Sequence, residues 1–127
     1  WESNRADAHA GWETDIDKAF ALAKQKKQNV FVDFTGFNCV NCRWMEANVF
    51  VKPEVVDELG KMVKLQLYTD RPGEPYESNA KFQEKLTNTY SLPVYAIVTP
   101  DGKLIAMHKD MERDLAKYVE FLKQGSR

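Results

Sequence analysis

The chain's two cysteines, Cys39 and Cys42, stand two residues apart with Val40 and Asn41 between them, shortly after the apolar run Val30 to Phe34. Thiols at this spacing can close into a disulfide and open again. A strand that feeds a helix starting at the first cysteine is the setting that makes such a pair reactive. At a helix N-terminus a sulfur meets backbone N–H groups without intrahelical partners and the positive end of the macrodipole, and both favour thiolate over thiol. Cys39 is therefore expected to ionise below the roughly 8.5 of an ordinary cysteine and to act as the nucleophile. Cys42, one turn further in, is the shielded resolving thiol. The other readings of the same pair are a permanent disulfide or two inert core thiols, but so small a loop would restrict the unfolded chain little. A structural zinc site needs four ligands, and only His9 and His108, in no paired motif, stand beside the cysteines, so no metal is expected.

Two carboxylates accompany the pair. Asp33 interrupts an apolar strand, where burial of an isolated carboxylate is costly and raises its pKa. Six residues before Cys39, it is placed to lie beneath the cysteines as a proton acceptor for the resolving thiol, unless the strand edge exposes it to water. Glu46 follows Cys42 by four residues and Cys39 by seven, so all three fall on one side of a helix, and the Glu46 side chain would lean back toward Cys42. The alternative for Glu46 is a solvated face, paired with Arg43 at i−3. Pro93 precedes the apolar run Val94 to Val98, an uncommon place for proline in an interior sheet. A cis peptide after Leu92 would explain it, leaving the Leu92 backbone groups for an extended partner segment to bond by strand addition; the alternative is a trans proline at a sheet edge. Phe37 and Trp44 flank the motif, either as a docking surface or as packing.

The elements that must position these residues are legible in outline. Trp12 opens a short strand. Thr14 reads as an N-cap, and Ile16, Ala19, Phe20 and Ala23 recur at helical spacing as far as Lys27. Val30 to Phe34 suits a central strand buried on both faces. A helix from Cys39 to about Val51 is followed by a short one from Pro53 to Leu59, a strand from Met62 to Tyr68, a loop over residues 70–75 and a helix over residues 76–88. A strand entered at Pro93 then turns at Pro100-Asp101-Gly102 into Lys103 to His108, and a helix from Glu112 to Gln124 is stopped by Gly125. Helices alternating with strands imply parallel crossovers, and the last two strands an antiparallel hairpin, giving an α/β fold with helices on both faces of a mixed sheet.

At 127 residues one domain is expected, over residues 12–127, with residues 1–11 as a linker or tail. Because the chain begins at Trp1 without methionine, it reads as a piece of something longer. A net charge of −1, from 18 basic and 19 acidic residues, leaves no footprint for nucleic acid. No apolar run approaches the roughly 18 residues that cross a bilayer.

Together, the Val32-Asp33-Phe34 strand, the Cys39–Cys42 pair and the Leu92-Pro93-Val94 segment resemble the thioredoxin superfamily over roughly residues 12–124. Phe34 to Glu46, with valine after the first cysteine, a basic residue after the second and a glutamate four further on, is similar to the C-terminal periplasmic domains of the bacterial thiol:disulfide interchange (DsbD) family. That resemblance implies a thioredoxin-like fold, a cis Leu92–Pro93 bond, and Asp33 and Glu46 as the acids that modulate the cysteines. Phe37, Asn38, Val40, Asn41, Leu92 and Pro93 would then form the partner-binding surface. It also implies a thiol-disulfide oxidoreductase with no cofactor beyond its own disulfide, a monomeric periplasmic domain of a membrane-anchored parent. Such a domain would take electrons from a membrane-embedded carrier and reduce an extracytoplasmic protein. A free-standing reductase or isomerase, or a peptide-binding module without catalysis, are the other readings. Asn38 departs from the tryptophan usual before the first cysteine, and residues 70–76 look like a variable loop.

Overall fold

The computed structural model describes residues 11–126, so most of the expected tail, with His9, lies outside the described residues, as does Arg127. Among the described residues five strands and five helices follow one another as β1 (Trp12–Glu13), α1 (Ile16–Lys26), β2 (Val30–Thr35), α2 (Val40–Asn48), α3 (Pro53–Leu59), β3 (Val63–Tyr68), α4 (Tyr76–Thr87), β4 (Val94–Val98), β5 (Leu104–Lys109) and α5 (Leu115–Lys123). They build a mixed sheet in the order β1-β3-β2-β4-β5. Its central strand is β2, whose six residues are all buried, which is why its sequence is apolar without alternation.

Strand β3 runs parallel to β1 and to β2, whereas β4 runs antiparallel to both β2 and β5. Helix alternation implied another parallel crossover at β4. Instead the chain leaving α4 returns to the edge at which β2 ends, because Val94 pairs with Phe34. Leu92 and Pro93 thereby emerge on the edge where β2 gives way to the cysteine loop.

Side chains on β2 alternate between two apolar clusters. Val30, Val32 and Phe34 pack with Ala19 and Ala23 of α1 and with Phe82 and Leu86 of α4. Phe31 packs on the opposite face with Met45 of α2, Val55 and Leu59 of α3, and Tyr118 and Leu122 of α5. Each fully buried Val, Leu, Phe or Met among them stabilises the fold by roughly 1.5–3 kcal/mol relative to exposure. By the same alternation Asp33 and Thr35 point to the α2 face.

Several boundaries move from their expected places for local reasons. Asp15, not Thr14, caps α1, accepting a hydrogen bond from Lys18 N at 3.0 Å. Helix α2 ends at Asn48 rather than Val51, since Val49 and Phe50 turn into the core and Lys52, ahead of Pro53, is extended. Helix α5 begins at Leu115 under an Asp114 cap, not at Glu112, whose carboxylate accepts from Asp114 N at 3.1 Å. Gly125 follows the helix as expected, but its φ is not positive. A Cβ there would run into the end of the buried Met62 side chain and lie 3.2 Å from Ile97 Cγ2, so a larger residue would force a shift.

Candidate active site

Parallel pairing of β2 with β3 matches Thr35 with Tyr68 and continues as Thr69 N donating to Thr35 O at 3.1 Å. The segments that leave these strands, residues 36–38 and 69–70, therefore run side by side. From there the chain reaches Cys39, the N-cap of α2, with φ −90° and ψ 103°. Its sulfur accepts from Cys42 N at 3.2 Å, so the sulfur itself occupies the place of a capping oxygen. Cys39 and Cys42 are joined in a disulfide, with Cα atoms 5.2 Å apart. Cys39 is half-buried and Cys42 is 2% exposed, so the first residue is open to solvent and the second is not.

Asp33 is buried at 2% exposure on the central strand; the water-exposed edge alternative does not apply. Burial pushes its carboxyl up to about 7; a hydrogen bond from Gln66 opposes this, the Glu46 charge adds to it and the Arg43 charge opposes it. Gln66 lies opposite Asp33 on β3 and Tyr95 opposite it on β4. The buried phenol of Tyr95 is pushed up as well, by burial first and by the Asp33 and Glu46 charges next. A buried carboxyl that ionises near neutrality can hold or release a proton under working conditions.

Glu46 does not stand free on the helix. Its Oε2 accepts from Arg43 Nη2 at 2.8 Å, and the same nitrogen donates to Thr35 Oγ1 at 2.9 Å. The i−3 pairing read from the sequence is present, and it is part-buried rather than solvated. Arg43 also lies over the Tyr68 ring, 5.7 Å from its centre. Arginine and two carboxylates thus act on one another on the α2 side of the sheet.

Around Cys39 opens a cleft of about 370 Å³ lined by Asn38, Val40, Asn41, Leu92 and Asp70. The Leu92–Pro93 peptide is cis, with Leu92 half-buried and Pro93 buried behind it. Val40 is 80% exposed. Asp110, at φ 72°, ties the two sides together: its N–H donates to Pro93 O at 2.8 Å, and its Oδ1 accepts from Asn41 Nδ2 at 3.4 Å. Phe37 and Trp44 are engaged with the protein's own side chains. Phe37 stacks on Tyr68 at 4.1 Å beneath the Arg71 guanidinium, and Trp44 lies under Arg113.

Asp70 is the site residue that sequence reading passed over, as part of a variable loop. Its carboxylate accepts from Phe37 N at 2.9 Å and Asn38 N at 3.1 Å. Burial pushes this carboxyl up, but those two amides, together with its own backbone N–H and the Arg71 charge, hold it below its ordinary value. The sequence signal was Gly36, which reads as a turn residue but is needed because a Cβ there would lie 2.7 Å from Asp70 Oδ2.

A half-buried sulfur at a helix N-cap, bonded to a buried one and set over a mixed sheet beside a cis-proline, defines a thiol-disulfide oxidoreductase. Residues 11–100 match a family model described as thioredoxin-like, and the chain belongs to that family. It is 37% identical over 67 residues to thiol:disulfide interchange protein DsbD 2 of Pseudomonas aeruginosa, a match that takes in 49% of this chain and 11% of that protein. The solved structure of a DsbH oxidoreductase superimposes with a TM-score of 0.74 at 21% identity, over 90% of this chain and 82% of the other. The oxidised DsbD C-terminal domain of Neisseria meningitidis gives 0.71 at 17% identity, over 90% and 98%. These likenesses to solved structures are likenesses of fold.

Proposed function

We propose that the chain works as a reductant, taking two electrons from a membrane-embedded carrier and passing them to the disulfide of an extracytoplasmic protein. The observation that carries the exchange chemistry in this reading is the unequal burial of two bonded sulfurs, Cys39 half-buried at the helix cap and Cys42 at 2% exposure, while the direction of electron flow rests on the sequence resemblance. The name of the Pseudomonas aeruginosa relative supports the interchange chemistry. Among the described residues no helix is long and apolar enough to cross a membrane, so the carrier would be supplied by another part of the parent or by a partner.

In the reduced state the Cys39 thiolate attacks one sulfur of the partner disulfide, whose other sulfur leaves as a thiolate and takes a proton. Cys42 then gives up its proton, and its thiolate attacks Cys39 Sγ. The Cys39–Cys42 bond forms, the mixed disulfide breaks, and the partner departs as a dithiol with two electrons gained. Asp33, ionising near neutrality beneath α2, is the acceptor for the Cys42 proton, and Glu46, through its charge on Asp33, raises that group's proton affinity. Leu92 offers its backbone to the partner segment, while Asn38, Val40 and Asn41 meet it across the cleft. The exchange as written draws on no cofactor beyond the two sulfurs.

Insulin reduction by the dithiol form, and equilibration against glutathione, test the proposal. Turnover of insulin with a reducing potential is expected. A potential near the roughly −120 mV of a strong oxidant would overturn the reductant reading. Peptide binding that survives alkylation of both cysteines, with no insulin reduction by the untreated protein, would instead favour a binding module.

A further inference from the structure

Asp70 lies 31 residues beyond Cys39 in sequence and yet lines the same cleft. Its two oxygens divide their work: Oδ1 accepts from Phe37 N and Oδ2 from Asn38 N, the two residues before the cysteine. Three further contacts fix the same loop. Cys39 N donates back to Gly36 O at 3.4 Å, the Phe37 ring stacks on Tyr68, and the Arg71 guanidinium sits 4.0 Å from that ring's centre. Gly36 is what allows the approach, since a side chain there would meet both Asp70 and Leu92. The segment from Tyr68 to Arg71 thus grips the loop by its backbone and by its aromatic side chain at once.

We propose that Asp70 is a positioning residue for the exchange reaction, clamping residues 36–38 so that the Cys39 sulfur is held at the N-cap of α2. The inference rests on the reading of Cys39 as the attacking thiol. A sulfur held at the cap accepts from Cys42 N and faces the positive end of the helix, which favours its thiolate; a sulfur on a loosened loop loses both. Loss of the clamp therefore raises the proton affinity of Cys39. Direct action of the Asp70 charge has the opposite sign, because removing a nearby negative charge lowers a thiol's proton affinity. The direction of the change separates positioning from simple electrostatics.

The test follows the alkylation of each cysteine by iodoacetamide across pH, on the fully reduced chain, in wild type, Asp70→Ala, Asp70→Asn and Gly36→Ala, with circular dichroism to establish that each variant is folded. In wild type Cys39 is expected to react before Cys42. In Asp70→Ala the Cys39 profile is expected to shift to higher pH, slowing alkylation at neutral pH by about tenfold, the equivalent of one unit in a thiol's pKa. Asp70→Asn, which keeps one acceptor, shifts it less. Gly36→Ala reproduces the shift by forcing the carboxylate away, and the double variant with Asp70→Ala is no slower than the slower single one. If Asp70→Ala does not fold, the other two variants carry the comparison. An unchanged profile in folded variants, or a shift to lower pH, overturns the inference while leaving the exchange reading intact. Reaction of Cys42 before Cys39 in wild type would overturn the exchange reading itself.

Discussion

The side-chain amide of Gln66 donates to Asp33 Oδ2 at 3.1 Å, a buried hydrogen bond between facing residues of two parallel strands. It opposes the effect of burial on the carboxyl without cancelling it, and Asp33 still ionises at about 7. In the unfolded chain the same group would ionise near 3.8. Between those values the folded chain binds a proton that the unfolded chain has lost. The stability contributed by this group is therefore complete below the lower value, falls as pH rises, and levels off above about 7. Asp33→Asn is expected to flatten that fall and to make the oxidised protein more stable above neutrality, by an amount on the order of a few kcal/mol. Urea midpoints of both proteins across this pH range check it. Parallel curves would show that Asp33 does not titrate in this window.

Arg43 stands against both Glu46 and Asp33 as the cation of the cluster. Arg43→Ala is expected to raise the Asp33 midpoint by up to about one unit, since an opposing charge has gone. Carboxyl carbon shifts followed by NMR would read this directly, and a midpoint that stayed in place would mean that the guanidinium charge does not reach Asp33.

Cys42→Ser is expected to arrest exchange at the mixed disulfide between Cys39 and a partner, and Cys39→Ser to form none. Non-reducing electrophoresis after incubation with oxidised insulin distinguishes the two. An adduct of equal yield from both variants would show that the sulfurs are not ranked by their burial.

Val40 is 80% exposed at the rim of the cleft and has little to lose from folding. Val40→Asp should leave the free energy of unfolding in urea within about 0.5 kcal/mol of wild type. It should raise KM for a protein disulfide roughly fivefold, about 1 kcal/mol of docking energy, with kcat little changed. Steady-state insulin reduction measures both quantities, and a change confined to kcat would speak against a docking role.

Gly125→Ala, far from the cysteines, is expected to destabilise the fold by about 1–3 kcal/mol through collision with Met62 and Ile97. Thermal unfolding gives the value. An unchanged midpoint would mean that the end of α5 can shift away from the sheet at no cost.

What the sequence made legible was local. The cysteine pair, the continuous apolar run of β2 and the turn at Pro100-Asp101-Gly102 depend on neighbours within a few residues, and the structure has each in place. Asp33 could be picked out because a charge in an apolar strand is conspicuous. Its partner Gln66 could not, since only the β2–β3 register brings residues 33 apart face to face. Asp70 escaped for the same reason: it reaches the loop through the parallel exit of two strands, and its composition-rich neighbourhood reads only as a turn. The direction of β4 was equally non-local, fixed by where the chain returns after α4 rather than by anything within Val94–Val98. Helix ends were missed by one to three residues where two capping side chains competed, as at Thr14 and Asp15, or where a proline lay ahead.

Asp110 joins the Pro93 carbonyl on one side of the cleft to Asn41 on the other. The aperture over Cys39 is thus gauged by a single residue spanning the gap, at a left-handed φ of 72° that few side chains adopt readily. The helix carrying the cysteines and the loop carrying the cis-proline are linked at this point by a bond of 3.4 Å between Asn41 and Asp110. On the proposed reading, a strand docking beside Leu92 would meet an opening bridged at this one point, so that Asp110 bears on how thick a partner the cleft admits.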